Sequence, residues 1–240
     1  ALPMNPAGDA QPFRVKIASV PFAGGEVKYL SEGDYPVIHP DSKSIYFIKG
    51  GQVWTSSIDS IDSKNVFITR GTVSNLEWNK SGTSLLFVAD RSDHSIIGVY
   101  TNNQVKWISP SFTRDESPRW SPDGDKISFV RRPGIGGSPD SMLRRSHNPW
   151  SIYISDVNTN QSTLLWKAPT TLRGSVPTTH GGYNLHWAAK DRIVFLSYHD
   201  GWPHLYSLPS SGGKETVLTP GDFMCEHITL SSDGKFLTFS

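Results

Sequence analysis

An aromatic or aliphatic residue, a tight polar turn and a strand ending in phenylalanine recur along this chain. The clearest copy runs Trp120-Ser121-Pro122-Asp123-Gly124-Asp125-Lys126-Ile127-Ser128-Phe129. Others run from Ile38 to Phe47, from Trp78 to Phe87 and from Leu230 to Phe239, with a shorter copy from Trp187 to Phe195. The closing phenylalanines are therefore spaced by 40, 42, 66 and 44 residues. A period near 40 with strands around each turn is the sequence signature of a β-propeller. It directs the search for function to loops on one face.

Each repeat reads as four strands, a to d, from the propeller axis outward. In the third repeat these are residues 118–120, 126–130, 151–157 and 162–166. Ile152 and Ile154 alternate with Tyr153 and Ser155 at the period of a strand. Asp123-Gly124 supplies the a–b hairpin turn, and Asn158-Thr159-Asn160 and Ser210-Ser211-Gly212-Gly213 turn c into d. No amphipathic helix of useful length is visible. The predicted fold is all-β, a propeller of four-stranded blades at residues 31–70, 71–110, 111–167 and 183–219. Residues 12–30 read as strands c and d alone, and residues 226–240 as a and b alone. These half-blades can combine into a fifth blade that closes the ring, or more blades can flank this piece in a longer protein. A start without an initiator methionine and an end inside a strand fit a processed or excised piece.

Composition excludes several classes. Hydrophobic residues make up 36% and charged residues 19%, which suits a folded all-β domain and argues against disorder. The net charge is +1 with no dominant basic stripe, so nucleic acid is not an expected partner. The longest apolar runs are strand-length, so no membrane span is expected. Cys225 is the single cysteine; it forms no internal disulfide and reads as an inert thiol in a predicted strand. Asn79-Lys80-Ser81 and Asn160-Gln161-Ser162 match the glycosylation sequon, a pattern common by chance. The histidine pairs His199/His204 and His180/His186 read as hydrogen-bonded structural residues, so no metal and no cofactor is expected.

The 66-residue spacing marks two insertions, a b–c loop at residues 131–149 and a d–a loop at 167–182. Both connection types emerge on one face, so the loops are expected to be neighbours on one rim, where binding usually lives. The first carries Arg131, Arg132, Arg144, Arg145 and His147, and the second Arg173 and His180. Arginine pairs carboxylates bidentately, so the rim suits a peptide carboxylate or an acidic patch on a partner domain; the bland alternative is solvated loop charge. Gly134, Gly136 and Gly137 loosen the first loop but form no phosphate cradle, since no helix follows them. Asp115-Glu116, the one adjacent acidic pair, is expected in a d–a loop as a solvated turn. Trp78, Trp120 and Trp187 recur in strand a and read as core. Trp202, at a b–c tip, reads as a contact residue or as an anchor for its own blade.

The stretch from Gly182-Tyr183-Asn184-Leu185-His186-Trp187 through Asp200-Gly201-Trp202-Pro203-His204-Leu205-Tyr206 to Leu218-Thr219-Pro220-Gly221-Asp222-Phe223 is distinctive. It resembles the propeller of bacterial dipeptidyl-peptidase-IV-like enzymes, in the prolyl oligopeptidase family of serine peptidases. The resemblance covers most of the chain and is strongest from residue 115 to 240. It implies a periplasmic or secreted peptidase whose propeller gates access to a following α/β-hydrolase domain and contacts the peptide substrate, while the hydrolase supplies serine, aspartate and histidine. The Gly-x-Ser-x-Gly elbow of such a hydrolase does not occur here, and neither does any βαβ pattern, so no catalytic residue is expected in this chain. The paired glutamates that hold the substrate amine in some members have no Glu-Glu counterpart here; Asp115-Glu116 is the only adjacent acidic pair. The Ser-Pro-Asp-Gly turn is shared with TolB-like propellers, so a free-standing TolB-like interaction module is the alternative. A catalytic propeller is disfavoured, because no acidic pair stands out across the loops.

Overall fold

A computed structural model of the chain describes residues 14–134 and 146–240. Of the residues singled out above, Gly136, Gly137, Arg144 and Arg145 lie outside them. The chain builds successive antiparallel sheets. A hairpin of β1 (Lys16–Ser19) and β2 (Lys28–Glu32) is followed by four sheets of four strands. The first holds β3 (Asp34–Ile38), β4 (Ser44–Lys49), β5 (Gln52–Ser57) and β6 (Ser63–Phe67). The second holds β7 (Thr72–Trp78), β8 (Leu85–Asp90), β9 (Ser95–Thr101) and β10 (Gln104–Ile108). The third holds β11 (Thr113–Trp120), β12 (Lys126–Pro133), β13 (Ser151–Asp156) and β14 (Ser162–Lys167). The fourth holds β15 (His186–Ala188), β16 (Arg192–Ser197), β17 (His204–Pro209) and β18 (Thr216–Val217), and a last hairpin pairs β19 (Thr229–Leu230) with β20 (Leu237–Thr238). A parallel bridge between Arg114 and Ser95 joins the second and third sheets. The only helical segment among the described residues is a 3-10 turn at Leu172–Gly174, and no helix there is long and apolar enough to cross a membrane.

The polar turns explain why the repeats fold as hairpins. Ser121 Oγ donates to Asp123 and accepts from the Lys126 amide at 2.9 Å, while Gly124 takes the left-handed φ of +78° that the turn requires. Ser231, Asp233 and Gly234 repeat this arrangement before β20. Asn79 replaces the serine in the second sheet, and its Oδ1 accepts from the amides of Thr83 and Ser84. That buried amide is committed to the turn, so the first sequon is a structural element. In the second, Asn160 Oδ1 accepts from the Ser109 amide at 3.0 Å.

The register repeats as faithfully as the turns. Ile38, Trp78, Trp120, Trp187 and Leu230 each face the residue two before the closing phenylalanine, from Ile45 to Leu237. Three residues ahead of each of these, the chain turns left-handed once, at Tyr35, Asn75, Ser117, Asn184 and His227, with φ between 44° and 54°. In the first three sheets this residue sits in a register skip, a β-bulge that bends the inner strand.

The core lies between sheets. Phe47, Phe87, Phe129 and Phe195 are all fully buried. Phe129, Trp120 and Ile127 pack against Leu86, Val88, Ile97 and Val99 of the preceding sheet. Phe87 and Leu85 pack on Ile48 and Val53, and Phe195 and Trp187 on Ile152, Ile154 and Trp166. Burying one such side chain contributes roughly 1.5–3 kcal/mol. Successive sheets stacked face to face, with inner strands converging on one cavity, make a β-propeller. Gly98 faces Phe87 across the strand pair, and a Cβ there would lie 2.3 Å from the Phe87 ring, so this blade closes over its phenylalanine with Trp107 instead. Trp120 and Trp187 are buried, whereas Trp78 is half-buried against His39 and Tyr46. Cys225 is fully buried but sits ahead of β19, outside the strand expected for it. The terminal hairpins remain two separate two-stranded sheets.

Candidate functional site

The described parts of the two insertions lie side by side. The Asn148 amide donates to Ser175 Oγ, the Val176 amide to Asn148 O, and Trp150 Nε1 to Ser175 O at 3.3 Å. Trp150 is buried among Trp166, Tyr183 and Phe195, an aromatic anchor beneath both loops. Arg173 is exposed on the 3-10 turn and reaches over the next blade's b–c turn, its Nη1 3.0 Å from where a Gly201 Cβ would stand. Trp202, 40% exposed, is the neighbouring residue on that turn. His180 is exposed and its ring lies 4.4 Å from that of His227. His147 is half-buried, with Nε2 shielded and without a hydrogen-bond partner.

Behind Trp202 the distinctive sequence run forms a clasp. His204 is buried; its Nδ1 meets Asp200 Oδ2 at 2.7 Å and its Nε2 meets the Gly221 carbonyl at 2.8 Å. The Cys225 amide donates to Pro203 O. The b–c turn that presents Trp202 is thus tied to the segment leading into the last hairpin.

Four expected loop charges are strand residues, which corrects the sequence reading. Asp115 and Glu116 lie within β11, and Arg131 and Arg132 within β12, where Arg131 faces Asp115 and Arg132 faces Arg114. Asp115 is fully buried and takes a two-pronged ion pair from Arg131, with Nε and Nη2 each 2.7 Å from a carboxylate oxygen. Arg131 also caps the Ser109 carbonyl and stacks on Phe129 and Tyr153. Burial raises the Asp115 carboxyl above its ordinary range, against the pull of Arg131. Arg132 donates twice to Glu116 Oε1, and Tyr183 of the next blade donates to Glu116 Oε2 at 3.2 Å. Asp115–Arg131 anchors the third blade, and Glu116 links it to the fourth.

The sequence reading missed a second polar cluster on the axis. Glu77, Arg119, His186 and Thr229 occupy one register position in four successive inner strands, and all line a cavity of about 400 Å³ floored by Trp120, Trp187, Ile228 and Leu230. Arg119 Nη1 donates to Glu77 Oε2 at 3.2 Å and its Nε to the Leu185 carbonyl at 2.8 Å, so one guanidinium connects three blades. Burial pushes the Glu77 carboxyl up against the opposing charge of Arg119. Burial, then Arg119, depresses the His186 imidazole to about 4, and its Nε2 is buried without a partner. The available signal was the residue before each strand-a aromatic, which is polar in three consecutive repeats.

No protein-family model and no curated protein matches this sequence. Solved structures do match its fold. Dipeptidyl peptidase 4 from Porphyromonas gingivalis aligns with a TM-score of 0.60 and 14% identity over 87% of this chain and 36% of its own. A puromycin-hydrolyzing peptidase from Mycobacterium tuberculosis gives 0.65 and 12%, over 90% of this chain and 38% of its own. TolB from Acinetobacter baumannii gives 0.55 and 18%, over 85% and 45%. The chain spans less than half the length of each of these proteins. At such identities the likeness establishes the propeller fold.

Two outcomes follow from the buried charges. Arg131→Met strands the Asp115 carboxylate and is expected to destabilise the fold by about 3–5 kcal/mol in urea denaturation, with Asp115→Asn in the same chain recovering part of the loss. A loss below about 1 kcal/mol would mean that solvent reaches Asp115. His186 favours its neutral form when folded, so its contribution is complete above pH 6.5 and is lost as pH falls from 6.5 towards 4. Between pH 7.5 and pH 5 this amounts to about 2 kcal/mol. His186→Gln should flatten the pH dependence in that window, and an unchanged slope would place the imidazole in solvent.

Proposed function

We propose that this chain is a non-catalytic propeller domain of a dipeptidyl-peptidase-IV-like serine peptidase, and that it filters and orients peptides for an α/β-hydrolase domain of the same polypeptide. The observation that carries this reading is that the described parts of the two long insertions, residues 146–149 and 167–182, lie side by side on one rim. There Arg173, His180 and Trp202 offer a guanidinium, an imidazole and an indole to solvent. A guanidinium beside an exposed indole suits a peptide, pairing with a carboxylate while an apolar side chain packs on the ring. Arg144 and Arg145 belong to the same loop by sequence, and His147 sits at its described end. Asp115, Glu116, Arg131 and Arg132 support the rim from within the third blade. The Asp200–His204 run that carries the family resemblance holds the turn presenting Trp202.

The chain contains no nucleophile elbow, so its role is positional, and bond cleavage belongs to the hydrolase. The periplasm or the exterior of the cell is the compartment this reading implies. The alternative, a free-standing TolB-like interaction module, draws on the same fold and on the TolB likeness. The reading frame separates them: a peptidase requires a Gly-x-Ser-x-Gly elbow within a few hundred residues downstream, and a TolB-like module lacks it.

Alone, the chain is expected neither to hydrolyse dipeptidyl chromogenic substrates nor to be labelled by a serine-directed fluorophosphonate. In the polypeptide that includes the hydrolase, Arg173→Ala with Trp202→Ala should raise KM for peptides several-fold while leaving Tm nearly unchanged, since exposed groups contribute little to folding. Labelling of the isolated chain, or an unaltered KM in the double variant, would overturn the proposal.

A further inference from the structure

The axial cavity holds hydrogen-bond donors that the fold itself does not use. Arg119 directs Nε to the Leu185 carbonyl and Nη1 to Glu77 Oε2 and the Pro118 carbonyl, while its Nη2 has no hydrogen-bond partner. Neither ring nitrogen of His186 has a partner, and Nε2 is shielded from solvent as well. Glu77, by contrast, is committed at both oxygens: Oε1 accepts from the Trp120 amide at 3.3 Å and Oε2 from Arg119 at 3.2 Å. The second, third and fourth sheets supply these three residues, and each packs against a described sheet on either side. The cluster therefore lies inside the array of blades.

The rest of the lining is largely apolar. The Trp120 indole N–H donates to the Glu77 carbonyl and that of Trp187 to Asp191 Oδ1, so both indoles turn carbon towards the cavity beside Ile228 and Leu230. A volume of about 400 Å³ is within the range of small-molecule sites, which combine an apolar lining with a few placed polar groups.

The unused groups select the sign of the ligand. A cation would meet the Arg119 guanidinium and find both Glu77 oxygens already taken. An acceptor finds Nη2 free, and a neutral imidazole carries one N–H in either tautomer. Burial favours the protonated form of Glu77, which leaves the guanidinium charge to a bound anion. We propose that the axial cavity binds a small carboxylic acid with an apolar body, its carboxylate accepting hydrogen bonds from Arg119 Nη2 and the His186 imidazole and its body lying on Trp120, Trp187 and Leu230. This site is separate from the rim of Arg173 and Trp202, and it does not rest on the peptidase reading.

The test uses the whole chain and 2-naphthoate as probe, with 2-naphthamide as its uncharged counterpart. In calorimetric titration the naphthoate should bind saturably and about tenfold more tightly than the amide, the difference made by one charge-assisted hydrogen bond. In NMR spectra of the labelled protein, the indole N–H signals of Trp120 and Trp187 should shift most. Thr229→Phe, a change at an exposed residue on the edge of the cavity, should abolish binding while leaving Tm nearly unchanged. Arg119→Gln should lower naphthoate affinity to that of the amide. Because Arg119 also joins three blades, His186→Phe is the second variant, and it should weaken binding several-fold. Absence of saturable binding would overturn the proposal, as would equal affinity for naphthoate and naphthamide. Undiminished binding by Thr229→Phe, or saturation that moves neither indole signal, would overturn it too, since the ligand would then sit elsewhere.

Discussion

Each blade is held by a phenylalanine that its own sheet cannot cover. The residue lies in the second strand of the repeat and is sealed by side chains of its own outer strands and of the adjacent blade. A sheet of four short strands has two faces and little interior, so it is marginal alone and gains stability when its faces are covered. Phe87, Phe129 and Phe195 are fully buried where neighbours flank them, and Phe239 is exposed where the pairing stops. Stability is thus shared between neighbours, and the loops are freed from holding the fold together.

The inner strands add a second constraint. One left-handed residue per repeat bends the strand just before the axial position. At Tyr35, Asn75, Ser117, Asn184 and His227 this conformation is unfavourable for a side chain with a Cβ and costs on the order of 1 kcal/mol each. The bend returns something specific. It places Glu77, Arg119 and His186 on a common cavity, and it lets one arginine connect three blades. The polar axis and the ionic layer of Asp115, Glu116, Arg131 and Arg132 lie inside the fold, whereas Arg173, His180 and Trp202 lie on the rim. Buried and half-buried charge here fixes the relation between blades, and Arg173, His180 and Trp202 remain exposed to solvent.

Much of this was legible in the sequence because it is periodic and local. The closing phenylalanines, the serine–aspartate–glycine turns and the strands of the third repeat follow from short-range chemistry. The acidic pair was misplaced because β11 and β12 extend beyond the repeated motif, to Thr113 and Pro133. A run such as Asp115-Glu116 or Arg131-Arg132 looks like solvated loop until the two strands are paired, when each charge finds its partner sixteen residues away. The axial cluster was harder still, since its members come from four repeats and meet only through register. His204 was placed correctly as a structural histidine, but its clasp to Asp200 and Gly221 required the fold.

Comparing two phenylalanines at the same repeat position tests the inter-blade mechanism most directly. Phe129→Ala and Phe239→Ala remove the same atoms, one from a covered site and one from an uncovered site. Urea denaturation of the two variants at one low protein concentration should show a loss of about 3–5 kcal/mol for Phe129→Ala, the range for a buried aromatic, and less than about 1 kcal/mol for Phe239→Ala. Equal losses would contradict the mechanism, because each sheet would then stabilise its own phenylalanine without the strands and blades around it.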